Sequence, residues 1–264
     1  MQIYLAAAPG QLRDALAYTG RIAHAAYRIG PDGRLARQGG GLPAGVRGGL
    51  LVLGDREAGL IRDQQALCRD VWRECAGRGF AGVAADFEEA PRGDRAAFLE
   101  ALGRVLGRNG KQLFVPEAYG GRVPQALVLL CTALSGGTLR GRLEEAGRIF
   151  GSQRLALDLQ RLRMSFPLPC PSGEGEPLTG EALAELRQQK QPSLFYSADL
   201  CARYFTCGSG SGSRFVLFDD AGTLRRKIQL GRELGIATGF LQYPEVSDLL
   251  PELFPSRRQD NFST

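Results

Sequence analysis

Short apolar runs recur along the chain at 2–7, 22–28, 49–54, 82–86, 112–116, 127–132, 154–159 and 237–243. Each has the length and composition of a strand. Between most of them, apolar residues fall at helical spacing. Ala66, Leu67, Val71 and Cys75 do so within 63–76, and Phe98, Leu99, Leu102, Val105 and Leu106 within 95–106. Leu139, Leu143, Ala146 and Ile149 repeat the pattern within 138–150, and Leu224, Ile228, Leu230 and Leu234 within 223–234. Strands alternating with helices predict a parallel sheet. Eight strands in a chain of 264 residues predict an α/β fold of the (β/α)8 TIM-barrel type.

Two stretches break the alternation. Between Glu117 and Leu127 there is little room for a helix, and Pro124 interrupts it. Between the seventh and eighth strands lies an insertion, about 164–220. Within it, Ser193–Tyr196 and Arg214–Phe218 read as paired strands, Cys207–Ser213 as a mobile glycine- and serine-rich loop, and Ser172–Pro177 as another loop. Neither loop reads as a boundary between independent domains, so 1–264 is expected to be one barrel domain.

Composition narrows the function classes. The chain is 44% hydrophobic and 23% charged, which suits a globular protein with a large core. The net charge of +5 is spread along the chain, with local clusters only at Arg225-Arg226-Lys227 and Arg257-Arg258. These read as solvated helix faces, because a nucleic-acid protein shows a basic face with interleaved aromatics. No apolar run approaches a membrane span, and Met1 leads directly into strand-like Gln2–Ala7 without a signal-peptide pattern. A cytoplasmic location and no membrane partner are therefore expected.

The six cysteines, Cys68, Cys75, Cys131, Cys170, Cys201 and Cys207, form no C-x-x-C pair, so they are expected to be free thiols rather than a zinc site. Cys68 and Cys75 share one helix face, and Cys201 and Cys207 are close enough in sequence to meet across a hairpin. His24 is the only histidine, which excludes a multi-histidine metal centre and predicts a core residue. Neither metal nor cofactor is expected.

The candidate chemistry lies in Gly79-Phe80-Ala81-Gly82-Val83-Ala84-Ala85-Asp86-Phe87-Glu88-Glu89. In a strand, Gly82, Ala84, Asp86 and Glu88 share a face. That face holds nothing bulky and ends in two acids, at the C-terminal end where barrel sites assemble. Two acids on one face push their pKa values apart, which lets one remain a proton donor. Other polar residues near C-terminal strand ends are Glu117 and Tyr119 after the fifth strand, and Asp158 and Gln160 on the seventh. Arg161 and Arg163 stand close enough to Asp158 in sequence to make it a structural ion pair instead.

These residues resemble glycoside hydrolase family 18, the chitinase-like barrels, and especially the short forms among bacterial spore peptidoglycan hydrolases. The family's D-x-x-D-x-D-x-E falls on Ala81, Ala84, Asp86 and Glu88, of which the last two match. Arg21–Tyr27 followed by Gly30-Pro31-Asp32-Gly33 is similar to the family's second strand and turn. Phe215–Asp220, Arg226 and Lys227 resemble the lead into the last helix, and Gly239–Tyr243 the final strand. The resemblance implies an N-acetylated glycan as ligand, with Glu88 protonating the glycosidic oxygen and Asp86 orienting the substrate's acetamido nucleophile. It also implies that Tyr27, Gln242 and Tyr243 belong to the sugar site. Two positions depart from the pattern. Ala84 lacks the acid that partners Asp86, and the Met-x-Tyr-Asp of the sixth strand is missing, since 120–142 contains no Tyr, Asp or Glu.

Two other readings of the chain stay open. One is a catalytically silent barrel that binds carbohydrate or a protein. The other is a phosphate-ligand barrel, on the strength of Ser135-Gly136-Gly137-Thr138 opening a helix.

Overall fold

The computed structural model describes residues 1–209 and 212–254. The chain begins β1 (Gln2–Ala7), α1 (Leu12–Leu16), β2 (Ile22–Ile29), β3 (Leu35–Arg37), β4 (Leu50–Gly54) and α2 (Gln64–Gly77). It continues β5 (Gly82–Asp86), α3 (Gly93–Arg108), β6 (Gln112–Pro116), β7 (Leu127–Cys131), α4 (Leu139–Phe150) and β8 (Leu155–Asp158). The insertion comprises β9 (Arg163–Leu168), β10 (Glu176–Pro177), α5 (Gly180–Lys190), β11 (Phe195–Ser197), β12 (Ala202–Ser209) and β13 (Gly212–Phe218). The chain then returns through α6 (Ala221–Glu233), β14 (Thr238–Gln242), α7 (Tyr243–Val246) and α8 (Leu250–Leu253).

Strands β1, β2, β4, β5, β6, β7, β8 and β14 are parallel and form a closed barrel, because β1 pairs with both β14 and β2. The eight predicted strands are these eight, with ends shifted by a residue or so. Strand β3 adds antiparallel to the outside of β2. As foreseen, no α-helix separates β6 from β7; a single 3-10 turn, Glu117–Tyr119, takes its place.

Alternation divides the barrel strands between two cores. Leu51, Leu53, Val83, Ala85, Leu113, Val115 and Leu157 point outward and pack against Leu67, Val71, Phe98, Leu102 and Leu143 of the helices. Each leucine, valine or phenylalanine among them contributes about 1.5–3 kcal/mol when fully buried. Tyr4, Ala6, Ala23, Leu50, Val52, Ala84, Phe114, Ala156 and Phe240 point inward. Phe240 stacks on Tyr4 at 5.6 Å and meets Phe114 edge-on at 5.0 Å, so three rings fill the interior. Gly82 opens β5 where the backbones of β5 and β6 crowd together: a Cβ there would lie 2.2 Å from the Gln112 carbonyl oxygen.

The insertion is an antiparallel sheet in the order β10-β9-β13-β12-β11. Helix α5, which periodicity did not reveal, covers one face through Leu183, against Phe205, Cys207, Val216 and Phe218. The other face holds Phe166, Ala202 and Leu217 and packs on Leu162 and Ala133, which follow β8 and β7. Of the loop expected at Cys207–Ser213, the described residues are strand instead, with Cys207 opposite Arg214 and Ser209 opposite Gly212. Cross-strand hydrogen bonds outweigh the turn preference of its glycines and serines. Gly210 and Ser211 lie outside the described residues, as do Arg257 and Arg258.

Where the insertion rejoins the barrel, Asp219 is fully buried. It accepts hydrogen bonds from Lys227 Nζ (2.7 Å), Thr223 Oγ1 (2.8 Å) and Leu162 N (2.9 Å). Lys227 is itself completely buried, which corrects its reading as part of a solvated face. Its partner sits 8 residues earlier, outside the helix, where helical periodicity cannot show it. Asp220 caps α6 through Thr223 N. Among the described residues no helix is long and apolar enough to cross a membrane.

Breaking a buried ion pair strands one charge and costs about 3–5 kcal/mol. Asp219→Ala is therefore expected to lower the unfolding free energy by about that amount in urea titration, and Asp219→Ala with Lys227→Met to recover most of the loss. A double variant as unstable as the single one contradicts this account.

Candidate active site

The site stands at the C-terminal mouth of the barrel. Asp86 ends β5 with inward parity, two residues after the inward Ala84. It is reachable by solvent through the mouth, while the barrel wall surrounds it. That enclosure raises its pKa, and the charges of Glu88 and Asp55 raise it further.

Glu88 lies just beyond β5 and is fixed from β4. The buried Asp55 accepts the Glu88 backbone N–H at 3.0 Å. Arg56 Nη2 donates to Glu88 Oε2 at 2.7 Å, and both side chains are more than half exposed. Asp55 faces the guanidinium of fully buried Arg95 at 3.7 Å. Arg95 in turn holds the Gly59 and Ala58 carbonyls at 3.0 and 3.3 Å, pinning the segment after β4. Burial raises the pKa of Asp55, against the pull of its backbone donors. Asp55 and Arg56 escaped the sequence reading. The signal was present: they follow the small residue Gly54 at a C-terminal strand end, as Glu88 follows Asp86.

Asp158 ends β8, in register with Cys131 of β7 and Phe240 of β14. Gln160 Nε2 donates to its Oδ2 at 2.8 Å, and Cys131 Sγ donates to Gln160 Oε1 at 3.4 Å. The structural ion pair considered for Asp158 does not form. Arg161 instead reaches Asp248 at 2.6 Å and the Glu245 carbonyl at 2.8 Å. With no cation bonded to it among the described residues, Asp158 is pushed up to about 7. Burial is the largest cause, and the charges of Asp86 and Glu245 add to it.

Of the residues read from sequence, the structure brings Asp86, Glu88, Asp158, Gln160 and Gln242 to the mouth. Gln242 ends β14 with the inward parity of Phe240 and pairs with Ala6. Glu117 is tied to Arg142 of α4, which engages its carboxylate at the rim. Three tyrosines point elsewhere. Tyr27 is buried outside the barrel, where its hydroxyl donates to Glu74 at 2.8 Å. The register of β2 against β4 shifts between His24 and Tyr27, and this bulge turns Tyr27 outward with Leu53. Tyr119 is buried behind the β5 loop, edge-on to Phe87 at 5.9 Å, its hydroxyl accepting the Arg92 N–H at 3.3 Å. Tyr243 follows inward Gln242, so alternation sends it to the outer core. Burial and then the charge of Asp14 raise its pKa.

His24 is a core residue, with Nε2 3.1 Å from the Gly48 carbonyl oxygen and its pKa lowered by burial. Cys68 and Cys75 are buried together on α2, and burial pushes both thiols up to about 11. Cys201 and Cys207 sit in different packing clusters. At Ser135–Thr138, the Thr138 side chain accepts the Gly141 N–H and the Asp199 carbonyl takes the Leu139 N–H. Two donors that a phosphate would use are thus already engaged.

No protein-family model and no curated protein sequence matches this chain. Solved structures do match. A chitinase from Chromobacterium violaceum superposes with a TM-score of 0.72 at 16% identity, over 96% of this chain and 97% of that one. The fold is that of chitinase-type glycoside hydrolases. The spore cortex-lytic enzyme SleL of Bacillus cereus matches with a TM-score of 0.68 at 17% identity, over 96% of this chain and 74% of that one. A class V chitinase of Nicotiana tobaccum matches with a TM-score of 0.64 at 11% identity, over 91% and 92%. The glycoside hydrolase-like architecture, insertion included, thus extends over nearly the whole chain.

The pKa of Asp158 has a consequence for stability. An acid raised by folding stabilises the protein fully below its unfolded value, and that stabilisation is lost as pH rises through its folded value. Asp158→Asn is therefore expected to gain in Tm over the wild type as pH is raised from 4 to 8. Parallel Tm curves across that range would place Asp158 in an ordinary environment.

Proposed function

We propose that the protein binds and hydrolyses an N-acetylated glycan of chitin or peptidoglycan type at the barrel mouth. The observation that carries this reading is the placement of Asp86 and Glu88 at the end of β5, in a barrel that follows the course of chitinases and a cortex-lytic enzyme. Glu88 is the general acid. Arg56 holds its carboxylate in the free protein, so the incoming sugar has to displace Arg56 before Glu88 takes up a proton. Glu88 then delivers that proton to the glycosidic oxygen, and the C–O bond breaks with its electron pair going to that oxygen. The substrate's acetamido oxygen bonds to the anomeric carbon, as in substrate-assisted glycosidases. Asp86 takes the acetamido N–H, which becomes more acidic as positive charge develops on the amide. Water then attacks the anomeric carbon of the cyclic intermediate and gives a proton to Glu88, the bond from that carbon to the acyl oxygen breaks, and Asp86 returns its proton to the acetamido nitrogen.

A silent barrel is the second reading. It is favoured by the Glu88–Arg56 pair and by Ala84, which leaves Asp86 without a neighbouring acid on its own strand.

Hydrolysis of N-acetylglucosamine oligomers and of peptidoglycan across pH 4 to 8 separates the two. For an enzyme, Glu88→Gln should lower kcat by about 10²–10⁴-fold while binding survives. Arg56→Ala should not lower kcat, because Arg56 only restrains the acid. Tight binding with no cleavage by wild type or Arg56→Ala at any pH selects the silent barrel.

A further inference from the structure

Asp86 and Asp158 are the two acids of the mouth with neither a cation nor a backbone N–H bonded to the carboxyl among the described residues, and of the two only Asp158 is bonded to a neighbouring side chain. Asp55 has the Glu88 N–H and Arg95, Glu88 has Arg56, and Glu117 has Arg142. The Asp158 carboxyl has only the Gln160 amide. The direction of that bond follows from the chemistry of the chain of contacts. The Cys131 thiol donates to Gln160 Oε1, so the amide nitrogen of Gln160 is the end that faces Asp158. Oδ2 of Asp158 is therefore an acceptor, and Oδ1 has no hydrogen-bond partner among the described residues. The backbone beneath is held as well, with Thr132 N donating to the Asp158 carbonyl at 3.0 Å and Thr132 Oγ1 at 3.3 Å.

We propose that Asp158 acts as a neutral carboxyl that donates a hydrogen bond from Oδ1 to the acyl oxygen of the sugar's N-acyl group, while Asp86 accepts that group's N–H. The inference rests on the glycan reading above. An amide presents one donor and one acceptor, and the mouth then offers one complement to each. The position that would ordinarily supply a second acid, Ala84 beside Asp86, is empty of polar atoms, and no tyrosine lies on β7. A donor brought in by β8 meets the same need from across the barrel.

The charges acting on Asp158 agree with this assignment. Asp86 on β5 and Glu245 at the start of α7 both disfavour its ionised form. On its own strand stands the neutral Gln160, and on β7 the Cys131 thiol, whose pKa is itself raised by burial. The cations Arg56, Arg142 and Arg161 are all committed to other carboxylates.

Two measurements test the proposal on the intact chain. The first is a carbon-13 NMR titration of the side-chain carboxyls without ligand. An inflection near neutrality should be present in wild type, absent in Asp158→Asn and moved to lower pH in Asp86→Asn. A titration of Asp158 near pH 4 overturns the proposal. The second is calorimetric binding of the N-acetylglucosamine tetramer at pH 5.5 and 8.5. If the neutral form is required, wild-type affinity should fall by about 30-fold between these values, the factor set by a group titrating near 7. Asp158→Asn keeps an N–H donor at every pH, so its affinity should be flat and should exceed wild type at pH 8.5. Asp158→Ala should bind weakly at both. Binding whose pH dependence survives in Asp158→Asn overturns this inference alone. Absence of wild-type binding at both pH values removes the glycan reading and this inference with it.

Discussion

Closure of the barrel is the constraint on which everything else depends. Once β1 pairs with both β14 and β2, every inward residue shares one narrow interior with its counterparts on the other seven strands. Volume is then allotted by sequence. Tyr4, Phe114 and Phe240 take most of it and make contact with one another. Ala6, Ala23, Ala84 and Ala156 leave space around them. A polar group at the end of an inward row emerges into that space instead of being packed away. This is how Asp86 at the end of β5 and Asp158 at the end of β8 come to stand at the mouth.

The same alternation explains what could be read from the chain and what could not. The inward placement of Asp86 and Asp158 was legible because an undisturbed strand keeps its parity to the last residue, whereas Glu88 and Gln160 lie past the strand ends. Gln242 and Tyr243 are adjacent, so the parity that turns one inward turns the other out. Tyr27 was illegible for a different reason. The extra residue between His24 and Tyr27 reverses parity without any mark in the sequence, since neither glycine nor proline accompanies it. Lys227 and Asp219 illustrate a third limit. Each looks like an ordinary surface charge, and only the packing of the insertion against the barrel takes both out of water. Helix α5 lacked a strong periodic stripe because Leu183 is its single buried residue.

The electrostatic plan of the mouth follows from which acids obtained partners. The segment after β4 spends Asp55 on the Glu88 backbone and Arg56 on the Glu88 side chain, so two consecutive residues fix one carboxylate by position and by charge. No comparable clamp reaches Asp86 or Asp158. Burial, joined by the charges of neighbouring acids, outweighs the pull of Arg56 on Asp86 and of Gln160 on Asp158, and both move away from the ordinary aspartate range in the same direction. Two like groups enclosed in one mouth resist double ionisation.

Ala84 then looks less like a lesion than like half of an exchange. An acid at 84 would stand directly behind Asp86 on β5, and with Asp158 it would bring the inward acids of the mouth to three. Without it, the chain keeps two, on strands separated by β6 and β7. A pair on one strand can only pass a proton along that strand. A pair spread across the mouth can address two sides of whatever lies between them. That difference in reach, rather than the number of carboxylates, is what distinguishes this mouth from one built on β5 alone.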